Sequence, residues 1–169
     1  MIVKNIQVKK NSVLISFKEK VKSISLDFNS YTNERIYINK EIDEKTYIRL
    51  KRLSKLNKSM NQAIKYCLKK LRTSFEVKQY LKRKQLSYKD INYIIRYLED
   101  NGLLNDENYV ASFISEANEN NMGKNYIIHH LYKVGISYSL ISNIVFEDDN
   151  EREKMSKKYK LYTLQFRKN

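Results

Sequence analysis

The chain has 169 residues, of which 33 are basic and 19 acidic, giving a net charge of +14, and 41% are hydrophobic. That is enough apolar material for one core or for a core plus a small appendage, and too much for a disordered chain. Proline is absent, glycine occurs three times and cysteine once, so loops must be short, helices can run without interruption, and no internal disulfide can form.

A charge of this size favours polyanionic partners, with nucleic acid first, an acidic protein second and an anionic membrane third. No stretch approaches the ~18 apolar residues of a membrane-crossing helix, and the start MIVKNIQVKKN lacks the apolar centre of a signal peptide. A cytoplasmic protein with no membrane partner is the expectation. Cys67 sits in a helical apolar pattern and reads as a reduced, buried small hydrophobe.

Residues 1–42 carry short β-branched and aromatic runs: Val3, Ile6 and Val8; Val13, Leu14, Ile15 and Phe17; Val21, Ile24, Leu26 and Phe28; then Ile36, Tyr37 and Ile38. Turn-forming KKNS, KEK and NSYTNE separate them, which predicts a small antiparallel meander. Too small to bury much alone, it is expected to pack on helices or to flex beside them.

From Asp43 the period becomes helical. Tyr47, Leu50, Leu53 and Leu56 mark a connecting helix over 43–58, and Ser59 reads as the N-cap of the next, which carries Ala63, Ile64, Cys67, Leu68 and Leu71. Ser74 is read as the cap of a helix with Val77, Tyr80 and Leu81. Ser87 caps one with Ile91, Ile94, Ile95 and Leu98 that ends at Asn101-Gly102. Asp106 opens a helix with Tyr109, Val110, Phe113, Ile114 and Ala117. Gly123 and Gly135 bracket another with Ile127, Ile128 and Leu131, and Ser137 caps one with Leu140, Ile141, Ile144 and Val145. A last basic helix is expected from about residue 150.

These helices repeat at a spacing of 50 residues: Val77 falls on Ile127, Leu81 on Leu131, Ser87-Tyr88 on Ser137-Tyr138, and Ile91, Ile94 and Ile95 on Ile141, Ile144 and Val145. The fold class expected is mainly α: tandem three-helix repeats in an elongated array, preceded by the small antiparallel β-rich segment. The first repeat spans 59–105 and the second 106–149, while 150–169 supplies only the first helix of a partial third.

Charge is divided unevenly. Residues 1–58 hold 14 basic and 6 acidic residues, 59–105 hold 10 and 4, 106–149 hold 2 and 7, and 150–169 hold 7 and 2. An acidic repeat between basic neighbours suits a protein that touches both nucleic acid and a protein surface.

Catalysis finds no motif: no glycine-rich phosphate loop, no paired cysteines, no HExxH. Adjacent His129 and His130 would point about 100° apart on a helix, a poor metal clamp, and Glu147, Asp148 and Asp149 read as a solvated acidic loop. A non-enzyme without cofactor or metal is therefore expected. Lys69, Lys70, Arg72, Lys78, Lys82, Arg83 and Lys84 put seven positive charges in sixteen residues, more than helix capping requires, and are the leading phosphate contacts. Lys124, Lys133 and a C-terminal patch with Lys154, Lys157 and Lys158 come second. Tyr159, Tyr162 and Phe166 in that patch fit base stacking or a buried helix face equally well.

The residues that carry a family resemblance begin with Ala63 and Leu68-x-x-Leu71-Arg72-x-Ser74, Val77 and Tyr80-Leu81. They continue through Ile91, Ile94-Ile95 and Leu98 to Gly102-Leu103-Leu104-Asn105-Asp106, then Tyr109, Ala111, Met122-Gly123-Lys124, Ile127, Leu131 and Lys133-x-Gly135-Ile136. Over residues 61–146 this pattern resembles the RecX family of recombination regulators, and the β-rich start resembles the N-terminal extension of members from low-GC Gram-positive bacteria. Gln85 stands where the family's first unit usually has glycine, and the third unit is shorter than usual. The resemblance implies a helical array that binds the RecA filament on single-stranded DNA, with double-stranded DNA as a further partner, and inhibits its ATP hydrolysis, strand exchange and growth. A monomer is expected. A sequence-specific helix-turn-helix transcription factor is the alternative, and a metal-dependent nuclease a third reading.

Overall fold

The computed structural model describes residues 1–145, and the expected helix beyond residue 150 lies outside them. The chain divides into two units, Met1–Ile64 and a second that begins at Lys65.

In the first unit, β1 (Val3–Lys9) and β2 (Ser12–Phe17) form an antiparallel hairpin with Val8 opposite Val13 and Ile6 opposite Ile15. A short β3 (Ile24–Leu26) pairs antiparallel on the far side of β2. The two-residue period of β2 buries Val13, Ile15 and Phe17 on one face, and Ile24 and Leu26 of β3 are buried too.

The meander ends there. Phe28 opens a helix, α1 (Phe28–Glu34), because the Asp27 carboxylate accepts the Ser30 amide at 2.7 Å and caps its first turn. Ile36–Ile38, expected as a strand, pairs with nothing: Ile36 is buried, whereas Tyr37 and Ile38 are exposed. The Tyr31 hydroxyl donates to the Ile36 carbonyl at 3.0 Å, which holds that segment against α1 rather than in the sheet.

The second half of the first unit is the start of α2 (Glu44–Lys69), 26 residues long. The Asp43 carboxylate accepts the Thr46 amide, capping this end. Leu50 is buried, and Tyr47 and Leu53 pack on the cluster of Val3, Ile15, Phe17, Ile24, Leu26, Ile36 and Ile42. The sheet therefore has a helix to cover it, as its size requires.

Ser59 lies inside α2, buried, and caps nothing. With no proline or glycine over the preceding turns, the helix has no reason to break, and its hydrophobic period passes straight through.

The second unit holds the end of α2, then α3 (Ser74–Lys82), α4 (Tyr88–Asp100), α5 (Asp106–Glu119), α6 (Lys124–Lys133) and α7 (Tyr138–Val145). Thr73, not Ser74, is the N-cap of α3. Its hydroxyl accepts the Glu76 amide while the Glu76 carboxylate accepts the Thr73 amide, a reciprocal capping box. Ser87 caps α4 and Ser137 caps α7 as expected. Gly102 (φ +66) closes α4, with the Leu103 amide donating to the Leu98 carbonyl.

A shift of 50 residues carries the starts of α3 and α4 onto those of α6 and α7, and the last residue of α2, Lys69, onto that of α5, Glu119. It also carries Gln85 (φ +54) onto Gly135 (φ +80), so both α3–α4 and α6–α7 turn through a left-handed residue. Val77, Leu81, Ile91, Ile94, Ile95 and Leu98 are buried in the first pair. Val110, Ala117, Ile127, Ile128, Leu131, Ile136 and Ile141 form the core of α5 to α7.

Three contacts join the start of α3 to the second repeat. The Thr73 hydroxyl donates to the Val134 carbonyl at 2.6 Å, the Ser74 amide donates to the Asp106 carboxylate at 2.7 Å, and the Phe75 ring lies over Gly135.

Candidate nucleic-acid interface

Lys69 and Lys70 follow the last buried position of α2, Cys67, and are exposed. Cations there satisfy the negative end of the helix dipole, so part of their presence is explained without a ligand. Burial pushes the Cys67 thiol up in pKa, away from the thiolate that reactivity needs.

Arg72 is placed differently from the lysines around it. Its guanidinium donates to Glu76 at 3.0 Å and lies 4.0 Å from the centre of the Tyr66 ring. Tyr66 in turn stacks on Tyr80 at 4.6 Å and 7°, and Lys84 Nζ stands 5.0 Å from the Tyr80 centroid. Arg72, Tyr66, Tyr80 and Lys84 thus form one continuous series of contacts from the end of α2 to the end of α3. Each cation–ring contact is worth about 0.5–2 kcal/mol depending on exposure. Arg72 is therefore held as a strut, and its Nε is buried without a hydrogen-bond partner. The tyrosine pair is the part of this region that sequence reasoning missed. Both rings occupy ordinary helical positions, and nothing in the linear order says that they meet.

The remaining cations lie along α3. Lys78 and Lys82 are four residues apart and so share a face; Lys78 is half-buried, whereas Lys82 and Arg83 are exposed. None of Lys69, Lys70, Lys78, Lys82 and Arg83 makes an ion pair among the described residues. The seven predicted charges do not converge on one point. The nine residues of α3 set Lys69 and Lys70 at one end and Lys82 to Lys84 at the other, about 13 Å of helix between them.

Lys124 and Lys133 are both exposed and sit at opposite ends of α6, nine positions and about half a turn apart, so they are not one patch. Lys154, Lys157 and Lys158 lie outside the described residues, as do Glu147, Asp148 and Asp149.

The histidine pair divides as a helix dictates. His129 is exposed, while the His130 ring stacks on Phe113 at 4.0 Å and has the Tyr109 hydroxyl 3.2 Å from Nε2. Burial lowers the His130 pKa and raises that of Tyr109. Among the described residues, no group of three or more His, Cys, Asp or Glu is placed to hold a metal ion, and no helix is long and apolar enough to cross a membrane.

No family model matches the chain. Among curated proteins it is 31% identical over 150 residues to regulatory protein RecX of Finegoldia magna, covering 87% of this chain and 73% of that one. It is 27% identical over 148 residues to regulatory protein RecX of Bacillus subtilis, covering 82% of this chain but only 56% of the relative. Among solved structures, a crystal structure of regulatory protein RecX superposes with a TM-score of 0.66 over 84% of this chain and 71% of that one. At 22% identity that likeness shows the fold. RecX from Lactobacillus salivarius is 28% identical, with a TM-score of 0.50 over 63% of this chain and 75% of that one. Mostly helical, with a three-stranded antiparallel sheet at its start and a 31% identical relative matched over nearly three quarters of its length, the chain belongs to the RecX family of regulatory proteins.

Proposed function

We propose that this chain binds the RecA filament formed on single-stranded DNA and restrains its ATP hydrolysis, strand exchange and growth, without catalysing a reaction itself. The observation that carries the reading is the exposed set Lys69, Lys70, Lys82 and Arg83 at the two ends of α3, without ion pairs among the described residues, in a chain whose relatives bear the name regulatory protein RecX. Cations with no carboxylate partner are available to phosphate, and displacing the counterions of phosphate supplies affinity without sequence preference. The acidic second repeat would avoid DNA and leave its surface to protein.

The test is DNA-dependent ATP hydrolysis by a bacterial RecA, with this protein added well below one copy per RecA. Inhibition at that ratio is the expected result. Replacing Lys82 and Arg83 together by alanine should raise the concentration needed. It should also lower the salt dependence of single-stranded DNA binding by about 1.4, at roughly 0.7 for each phosphate that is no longer neutralised. DNA binding with no effect on RecA at any ratio would overturn the filament reading. A strong preference for one duplex sequence would favour a helix-turn-helix regulator instead.

A further inference from the structure

The solvent face of α4 combines rings and charges in a way that the basic run along α3 does not. Its inward positions, Ile91, Ile94, Ile95 and Leu98, are buried. Lys89, Tyr93, Arg96 and Tyr97 face out at spacings of four, three and one residues, which places them on one stripe about 12 Å long. Tyr93 is 56% exposed and Tyr97 39% exposed. Neither ring stacks on another, and neither Lys89 nor Arg96 makes an ion pair, among the described residues.

Intrinsic helix propensity gives no reason for these residue types, because tyrosine is a poorer helix former than the lysine, glutamate or glutamine that usually fill exposed positions. The internal repeat sharpens the point. Moving from α4 to α7, the inward Ile91 recurs as Ile141, but the outward Lys89 and Tyr93 become Ser139 and Asn143. The core is copied and the outer stripe is not, so the stripe answers to something other than folding.

We propose that the outer face of α4 is a stacking surface for single-stranded nucleic acid, with Tyr93 and Tyr97 taking bases and Lys89 and Arg96 the flanking phosphates. Every base offers a ring face, so such a surface binds without sequence preference, and it needs unpaired bases, so it discriminates against duplex. Glu99 and Asp100 bound the stripe at the end of the helix and repel phosphate there. This goes beyond the filament reading because it requires no second protein.

The test is fluorescence anisotropy of a labelled oligo(dT) with the full chain and no RecA present. Replacing Tyr93 or Tyr97 by alanine should weaken binding about tenfold for each ring, with the salt dependence nearly unchanged. Tyr93→Phe and Tyr97→Phe should restore it, since a phenyl ring stacks as well. Arg96→Gln should weaken binding and also flatten the salt dependence, and a blunt duplex of equal length should compete poorly. Circular dichroism should show every variant folded at the assay temperature, with Tyr97→Ala melting lowest because its ring is only 39% exposed. Oligo(dT) affinity within twofold of the parent in the folded Tyr93→Ala, Tyr97→Ala double variant would overturn the proposal. So would equal competition by duplex. Loss of RecA inhibition in that variant with oligo(dT) binding intact would also overturn it, and would mark the stripe as a protein contact. Conversely, loss of oligo(dT) binding with RecA inhibition intact leaves both readings standing at separate places on the chain.

Discussion

Gly135 and Gln85 occupy the same left-handed turn in the two repeats, yet only one of them needs to be glycine. An added Cβ at Gly135 would come 2.2 Å from Phe75 Cγ, and φ there is +80. Gln85 adopts φ +54 with its side chain exposed. Gly135→Ala should cost about 2–4 kcal/mol in a denaturant titration, from backbone strain and the clash with Phe75 together, whereas Gln85→Ala should stay within about 0.5 kcal/mol. Equal costs at the two sites would refute the clash. His130 makes a second residue-scale prediction. Burial holds its pKa below the ordinary 6.5, with Glu76, Glu116, Lys133 and His129 as the nearby charges. Unfolding therefore takes up a fraction of a proton, so the stability this group contributes is present above pH 6.5 and is lost as the pH falls through the folded-state value. His130→Phe, which keeps a ring against Phe113, should flatten stability against pH below 6.5. An unchanged slope would place the titrating group elsewhere.

At the scale of elements, α2 separates two readings of one serine. If Ser59 began a helix, Met60 would be its first residue, where proline is well tolerated. In the continuous Glu44–Lys69 helix, proline at that position removes an interior hydrogen bond and clashes with the preceding turn. Met60→Pro should thus cost about 3 kcal/mol or more, seen as a lowered melting temperature; a neutral effect would restore the break. The elements with a single strong local signal were legible in the sequence. Ser87, Ser137 and Asn101-Gly102 each have one serine or one glycine in position, and β2 and β3 follow the alternation of their residues. Legibility failed where two local signals competed. Thr73 and Ser74 can both cap, and only the glutamate three residues after Thr73 decides between them. Phe28 continues an apolar run, but Asp27 just before it is a cap, and the helix wins. Of the interface, exposure of the lysines could be read from periodicity. The Arg72–Tyr66–Tyr80–Lys84 contacts could not, because they join residues of two helices.

Across the molecule, the chain alternates in charge while its helical framework repeats. The internal copy keeps the buried Val77, Leu81 and Ile91 as Ile127, Leu131 and Ile141 and the Ser87 cap as Ser137, replaces the Thr73 cap by Gly123 without a side-chain cap, and lets the composition drift from 10 basic and 4 acidic residues in 59–105 to 2 and 7 in 106–149. One scaffold thereby carries two sequences of opposite net charge. Among the contacts between the copies are a hydroxyl, a carboxylate and a ring at the start of α3. The Thr73 hydroxyl reaches a carbonyl 61 residues away, and the entropy of closing that length of chain must be spent before the bond repays it. The expected order is local helices first and this bond late. Thr73→Val, which strips the hydroxyl from both Glu76 and Val134, should accelerate unfolding by roughly tenfold while leaving the refolding rate almost untouched. Stopped-flow kinetics that showed slower refolding instead would move this latch to the first moments of the chain's collapse. A bond formed that late would set how long the two repeats stay closed once they have met.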